Sequence, residues 1–367
     1  MTTSVRKTRT TKRQGGAPTI SDVALLAGVS PMTVSRVINA DTNVRETTRE
    51  AVNVAIAQLN YAPNPAARSL AGAAQLRIAL LYSNPSASYL SEFLVGSLDQ
   101  AGRSDIQLIV EKCEIGDHDV EVAERLVRSG IDGVVLPPPL CDSKGVLEVL
   151  LNAKIPTVVV ATGRAPEEAA SVSIDDMQAA HAMTAHLIGL GHARIGFIIG
   201  NPNQTASAKR LEGYRAALAE HGVAADDTLI AQGLFTYRSG LDAAEHLMDA
   251  PNPPTAIFAS NDDMAAATVA VAHRRGLDVP GDLTVCGFDD SALATTIWPE
   301  LTTIHQPIAT MSRAAVELLV GIVRSARNGK TERARHVVLD YTLIRRQSDA
   351  APRRRPSTRA QHKSSRD

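Results

Sequence analysis

Cysteine is scarce in this chain, with three in 367 residues. Cys113, Cys141 and Cys286 are odd in number and far apart. That spacing excludes a disulfide framework and a cysteine-rich metal cluster, and it suits reduced thiols in a reducing compartment. Long hydrophobic runs are lacking too. No stretch approaches the roughly 20 apolar residues that a spanning helix needs. The early run RKTRTTKR, residues 6–13, is basic and leads into no signal-peptide core. A membrane partner is therefore not expected, and a cytoplasmic location is. Enzyme signatures are missing as well: no Gly-rich phosphate loop opens a helix, and no G-x-S-x-G elbow is present. No catalytic residue, metal or cofactor is expected. His192, in LGHARI, is read as a helix end before a strand and not as a catalytic base.

Neither sign of charge dominates, because the net charge is −1. Its distribution is uneven. Residues 1–75 carry nine Lys/Arg against four Asp/Glu, residues 345–367 carry eight against two, and the stretch between is left with −12. Basic ends on an acidic body suit a protein that meets nucleic acid through one face. Residues 1–17 are expected to form a disordered basic arm, and residues 347–367 a disordered basic tail.

What is present is concentrated first in residues 19–72. Thr19, with Asp22 three residues on, predicts a capped helix start. Gly28 suits a left-handed turn. Ser30 predicts a second cap, with Pro31 at the first helical position, where a missing N–H costs nothing. Val34, Val37 and Ile38 lie at helical spacing and should face the first helix, leaving Met32, Thr33, Ser35 and Arg36 outward. A third helix is expected over 49–60, and Pro63 and Pro65 bound a short restart over 66–70. Two helices with a tight turn, then a third, predict an all-α helix-turn-helix reader over 18–63, with a hinge and linker over 64–76. In such a reader the start of the second helix meets base edges in the major groove.

The run VALLAGVSPMTVSRVIN, followed by TRE, LNYAPN and ARSLAG, resembles the lactose-repressor (LacI/GalR) family of bacterial transcription regulators. The resemblance implies that Pro31, Met32 and Arg36 read bases. It implies that Ser30, Thr33, Ser35, Asn39 and Thr48 contact the DNA backbone, and that Ala67 and Leu70 enter the minor groove, where apolar side chains can wedge and kink a duplex. One departure is Arg45, where many members carry a small capping residue; Asn43 is a possible substitute cap.

From Arg77 onward, short apolar runs alternate with amphipathic ones. Strands are expected at 78–82, 106–110, 133–136, 157–160, 195–199, 256–258 and 284–286, and helices at 90–100, 120–129, 177–190, 209–221 and 265–275. This alternation predicts an α/β body of two doubly wound parallel-sheet subdomains, whose ligands sit beyond the carboxyl ends of the strands. The motifs LGHARIGFI, KRLEGYRAAL, AIFASNDDMA, VCGFDD and LTTIHQP are similar to the periplasmic sugar-binding-protein-like core of the same family. An effector-binding and dimerisation domain is expected over 77–346. Its N-subdomain would take about 77–161 and 291–322, and its C-subdomain about 162–290 and 323–346.

Ser83 and Asn84 follow the first strand, Asn261 follows the sixth and Asp289 the seventh. The resemblance places Arg210, Phe235, Asn261, Asp289 and Gln306 at effector-contacting positions and Tyr89 in a loop that often carries an aromatic. Asp289 can accept from two hydroxyls, Arg210 can donate in a fork, and Asn261 can do both. Asp175 ranks below these at the pocket edge. Ala161 stands where the lactose-responsive member has a carboxylate, and Gln204 where the purine-responsive member has an arginine. These departures favour a glucoside or oligosaccharide over a simple galactoside or a nucleobase.

The whole predicts a repressor of carbohydrate genes that binds a pseudo-palindromic operator as a homodimer and is released by a sugar. With no leucine heptad near the C-terminus, a tetramer is not expected. A periplasmic binding protein would share the body but not the DNA head. A sugar kinase or hydrolase would need the phosphate loop or nucleophile elbow that is missing.

Overall fold

The computed structural model describes residues 18–38, 43–61, 75–114, 116, 118–330 and 334–353. The chain divides into two compact units, Met1–Gln75 and Leu76–Asp367.

In the first unit three helices enclose a small apolar core of Val23, Ala24, Val34, Val37, Val52 and Ala55. Helix α1 (Ile20–Ala27) opens on a capping box, in which the Asp22 carboxylate accepts from the Thr19 N–H at 2.8 Å. Gly28 ends it at φ 66°, in the left-handed region that a Cβ would strain. Helix α2 (Pro31–Ile38) is capped by Ser30, whose Oγ accepts from the Thr33 N–H at 3.1 Å. Helix α3 (Glu46–Leu59) starts three residues earlier than expected. Its N-cap position is Arg45, not Asn43, and the Arg45 side chain makes no capping bond. Glu46 instead places a negative charge against the positive end of the helix.

In the second unit strands and helices alternate. The order is β1 (Leu76–Tyr82), α4 (Ala87–Ser104), β2 (Ile106–Lys112), α5 (Asp119–Arg128), β3 (Gly133–Leu136), α6 (Lys144–Asn152), β4 (Thr157–Val160) and β5 (Ala170–Ser173). It continues with α7 (Asp176–Gly189), β6 (Ile195–Ile199), α8 (Thr205–Glu220), β7 (Ile230–Gln232), α9 (Tyr237–Met248), β8 (Ala256–Ala259), α10 (Asp262–Arg274) and β9 (Thr284–Asp289). It ends with α11 (Ala292–Thr296), β10 (Thr302–His305), α12 (Ile308–Arg327), β11 (His336–Val338) and β12 (Thr342–Ile344). Two six-stranded sheets result, ordered β11-β5-β4-β3-β1-β2 and β12-β10-β9-β8-β6-β7. The β10–β12 pair is antiparallel and the other pairs are parallel. Strands β3, β4, β8 and β9 are buried along their whole length, which is why they read as unbroken apolar runs and not as alternating ones.

The structure moves the expected subdomain boundaries. β5, sequence ASVS, pairs with β4 and β11, so the chain first crosses to the second sheet after residue 173 and not after 161. β10 pairs with β9, so the return falls after 305 and not after 290. β11 belongs to the first sheet and β12 to the second, which puts the last crossing between 338 and 342 and not at 322. These strands have three or four residues each, too few for a periodic signal, and non-local pairing selects their sheet.

The tail also begins later than expected. Residues 347–353 are part of the body. Ser348 is fully buried, donates to the Val285 carbonyl and accepts from the Thr302 N–H at 2.9 Å. Asp349 pairs with His186 at 2.8 Å, and the Ala350 carbonyl accepts from Thr284 Oγ1 at 3.0 Å. These polar groups find partners at the sheet, which a composition averaged over 347–367 hides. Residues 354–367 and 1–17 lie outside the described residues, as do Asn39, Ala67 and Leu70. No helix among the described residues is long and apolar enough to cross a membrane.

Candidate functional site

Helix α2 has two unlike faces. Val34 and Val37 are buried, while Pro31, Met32 and Arg36 are exposed. Met32 and Arg36 are four residues apart and so share one face of the helix. Ser30 lies beside them, and its hydroxyl bonds Thr33 Oγ1 at 2.9 Å. Ser35 and Thr48 are half-buried. A short helix with a rigid apolar back and a polar front led by an arginine can lie along a groove of DNA.

The second candidate is a nearly shut cleft between the two subdomains, enclosing a cavity of about 30 Å³. Its walls come from the carboxyl ends of strands in both sheets. Asn84 follows β1, Ser86 and Tyr89 start α4, Pro138 follows β3, and Ala161 follows β4. From the other side come Gln204, Ala206 and Arg210 at the start of α8, Phe235 after β7, Asn261 after β8 and Asp289 at the end of β9. Gln306 sits where β10 leads back to the first subdomain. Seven of the eight expected effector residues are brought together here. Ser83 is not among the lining residues. It directly follows a strand, but the chain turns at Asn84, whose Oδ1 accepts from the Ser86 N–H at 2.8 Å, and residues 84–86 take the wall.

Arg210 is the electrostatic centre. Its Nε donates to Asp176 Oδ1 at 2.8 Å and its Nη1 to the Ser260 carbonyl at 2.5 Å. The guanidinium carbon lies 3.6 Å from the centre of the Phe288 ring, an arrangement that holds the fork flat. These bonds use two of its five N–H donors, and the rest remain for a ligand. Burial pushes the Asp176 carboxyl up and the Arg210 charge pulls it back, with a net rise. Burial also drives Asp289 well above the ordinary carboxylate range, against the pull of Arg210. Asp289 Oδ1 accepts from Gln306 Nε2 at 2.6 Å.

Two polar atoms of the lining are buried with no partner: Tyr89 Oη and Gln306 Oε1. Burial raises the Tyr89 hydroxyl pKa well above its usual value, and the nearby Asp289 adds to this, so the group stays a donor. An unpaired buried donor and an unpaired buried acceptor in one cavity ask for a ligand that both gives and takes hydrogen bonds. The backbone is strained at the same place. Among the described residues seven non-glycine residues have positive φ, and three of them, Ala161 at 55°, Phe235 at 60° and Asp289 at 113°, line this cavity. Such strain gathers where surrounding structure must hold a binding group in an uncommon pose.

Some residues have structural work instead. Asn261 caps α10, accepting from the Met264 N–H at 3.0 Å, and donates to the Phe235 carbonyl at 3.1 Å. It therefore combines a turn role with a place on the wall. Phe235 is both wall and core. Asp175 is exposed and caps α7, accepting from the Gln178 N–H at 2.9 Å, while its neighbour Asp176 carries the bond to Arg210. The sequence named only Asp175 at the pocket edge, and the residue bonded to Arg210 is its neighbour. Ser86 and Asp263 were missed: Ser86 Oγ donates to Asp263 Oδ2 at 2.6 Å and ties one subdomain to the other. His192 bonds Thr255 Oγ1 at 2.8 Å and the Ala350 carbonyl at 2.9 Å, away from the cavity.

Comparison with known proteins bears on both sites. The profile described as bacterial regulatory proteins, lacI family, matches residues 19–64, and that of the periplasmic binding protein-like domain matches residues 184–348. The HTH-type transcriptional regulator CelR of Thermobifida fusca is 36% identical over 340 residues, covering 90% of this chain and 98% of that protein. A solved complex of the transcriptional regulator CelR with cellobiose is 33% identical, covers 90% of this chain and all of that one, and has a TM-score of 0.69. A lac repressor dimer bound to operator and an anti-inducer is 26% identical, covers 92% of this chain and all of that one, and has a TM-score of 0.75.

Proposed function

The chain belongs to the lacI family of bacterial regulatory proteins and is a transcriptional regulator; from that premise we propose that it is a repressor released from its operator by a neutral sugar, a glucoside or short oligosaccharide. The observation that carries the effector reading is the polar complement of the cavity: orphaned Tyr89 Oη and Gln306 Oε1 beside the Arg210 fork and Asp289. A polyol hydroxyl can donate to one atom and accept from another, so a set of hydroxyls meets all four. A planar nucleobase lacks that density of hydroxyls. Phe235 and the Tyr89 ring offer apolar cover for a sugar face. The cellobiose complex of CelR supports the choice of a glucoside.

DNA recognition is proposed to run through Pro31, Met32 and Arg36 for bases, with Ser30, Thr33, Ser35, Asn39 and Thr48 on the backbone and Ala67 and Leu70 in the minor groove. A pseudo-palindromic site is matched by a homodimer, because two-fold protein symmetry mirrors paired half-sites. Such a regulator acts at cytoplasmic DNA and needs no membrane partner. The sugar acts only through its differential affinity for the two arrangements of the subdomains.

The test is operator affinity at one stated salt concentration, with and without cellobiose, longer glucans, galactosides and purines. A glucoside is expected to lower operator affinity while galactosides and purines leave it unchanged. A response to purines alone would overturn the reading.

A further inference from the structure

We propose that Asp142 is a positioning residue of the ligand cavity: it caps α8 from the opposite subdomain, so this helix is complete only when the cleft is shut. Helix α8 carries three wall residues of the cavity or borders them: Gln204, Ala206 and Arg210. Its own N-cap residue, Gln204, makes no capping bond. The missing cap comes from across the cleft. The Thr205 N–H donates to Asp142 Oδ2 at 2.8 Å, and Thr205 Oγ1 donates to Asp142 Oδ1 at 2.9 Å. A carboxylate at this position also meets the positive end of a 16-residue helix.

Asp142 is well held on its own side. It ends a short turn between β3 and α6, where Leu140 and Cys141 are buried, and it accepts from Thr162 Oγ1 at 2.8 Å. Gly163 closes the contact. Its N–H donates to Thr205 Oγ1 at 2.8 Å, and a Cβ at this residue would lie 2.6 Å from the Thr205 backbone carbon. The two subdomains thus meet here backbone to backbone, with no room for a methyl group. Opening the cleft would take the acceptor from the Thr205 N–H and leave α8 uncapped. Closure is therefore favoured before any ligand arrives, and Arg210 is held in register for it. This deepens the reading of the cleft as a sugar site, and only its second readout rests on that reading.

The first readout needs no ligand. Spin labels on Asn152→Cys and Ala219→Cys, both exposed, report the distance between subdomains in the full chain, since the native cysteines are buried. The labelled background and Thr205→Ser, which keeps both donors, are expected to share one short distance. Asp142→Ala and Gly163→Ala, which act through different atoms, are expected to shift population to longer distances. One distribution common to all four proteins overturns the proposal. The second readout is calorimetry with cellobiose. Asp142→Ala is expected to weaken binding by about 5- to 150-fold, the span of typical coupling between sites, and Thr205→Ser by less than about twofold. Full affinity in Asp142→Ala overturns the positioning role. If cellobiose binds none of the proteins, the glucoside reading fails, and the label distances alone decide the cap.

Discussion

Tyr89→Phe separates a ligand-binding hydroxyl from a structural one. The Tyr89 ring packs 6.2 Å from the Phe93 ring, and its hydroxyl is buried beside the cavity with no partner. An unpaired buried polar group costs about 1–3 kcal/mol. Removing it leaves the ring packing in place, so the unliganded variant is expected to be more stable by up to that amount. For a body of this size 1 kcal/mol moves Tm by about 2–4 °C, so a rise of a few degrees is expected in a thermal melt. Sugar binding should move the other way. A neutral hydrogen bond to ligand is worth about 0.5–1.5 kcal/mol net, so Kd for the effector should rise by up to about tenfold, measured by calorimetry. Higher stability with weaker binding is the signature of a group kept for the ligand. A lower Tm with unchanged sugar affinity would refute the reasoning and return Tyr89 to the core.

Other substitutions test other links. Arg36→Ala should lose about 1–3 kcal/mol of discrimination between operator and random DNA while keeping most nonspecific affinity; a variant that keeps the wild-type operator preference would sink the assignment. Asp289→Ala should weaken sugar binding by up to about tenfold, the loss of one hydrogen bond to the ligand, with operator affinity retained in a shift assay. Asp262 lies behind the cavity, where its carboxylate accepts from the Ser291 N–H at 2.7 Å and from Thr303 Oγ1 at 2.7 Å. Burial pushes its pKa up to about 7, against those bonds, whereas in the unfolded chain it titrates near 4. Between those values the folded form holds a proton that the unfolded chain has lost, so its contribution to stability is present below pH about 4 and is lost as pH rises to about 7. Asp262→Asn should flatten that slope in urea unfolding at pH 4.5, 5.5 and 7.5, and an unchanged slope would reject the assignment.

The head was legible because its signals are local. Thr19 and Asp22, Gly28, Ser30 and Pro31 each act within four residues, and each does in the structure what its chemistry predicts. The strong strands were legible for a related reason: full burial leaves unbroken apolar runs such as the Val158–Val160 stretch of β4. Arg210, Asn261, Asp289 and Gln306 were found because each sits in a recognisable motif, and Phe235 by its position in the resemblance; the structure gathers all five around one cavity. Ser83 was read from its place after a strand, and a strand end does not say which residue of the following loop turns inward. Asp176 was hidden behind Asp175, because a helix start offers both residues the same cap. Ser86, Asp263 and Asp142 were invisible, since each acts on a partner at least 63 residues away.

Taken alone, the order of residues decided the longer runs of the strand–helix alternation, where the first two helices of the head begin, and what chemistry the chain can offer to DNA and to a hydroxylated ligand. These follow from forces that act between near neighbours. Tertiary structure alone decided which sheet receives β5, β10, β11 and β12, that residues 347–353 are anchored, and that Asp142 and Ser86 reach across the cleft. Those outcomes depend on pairing between distant segments, where partners are chosen by the shape of the assembled whole and leave no mark at the residues that meet.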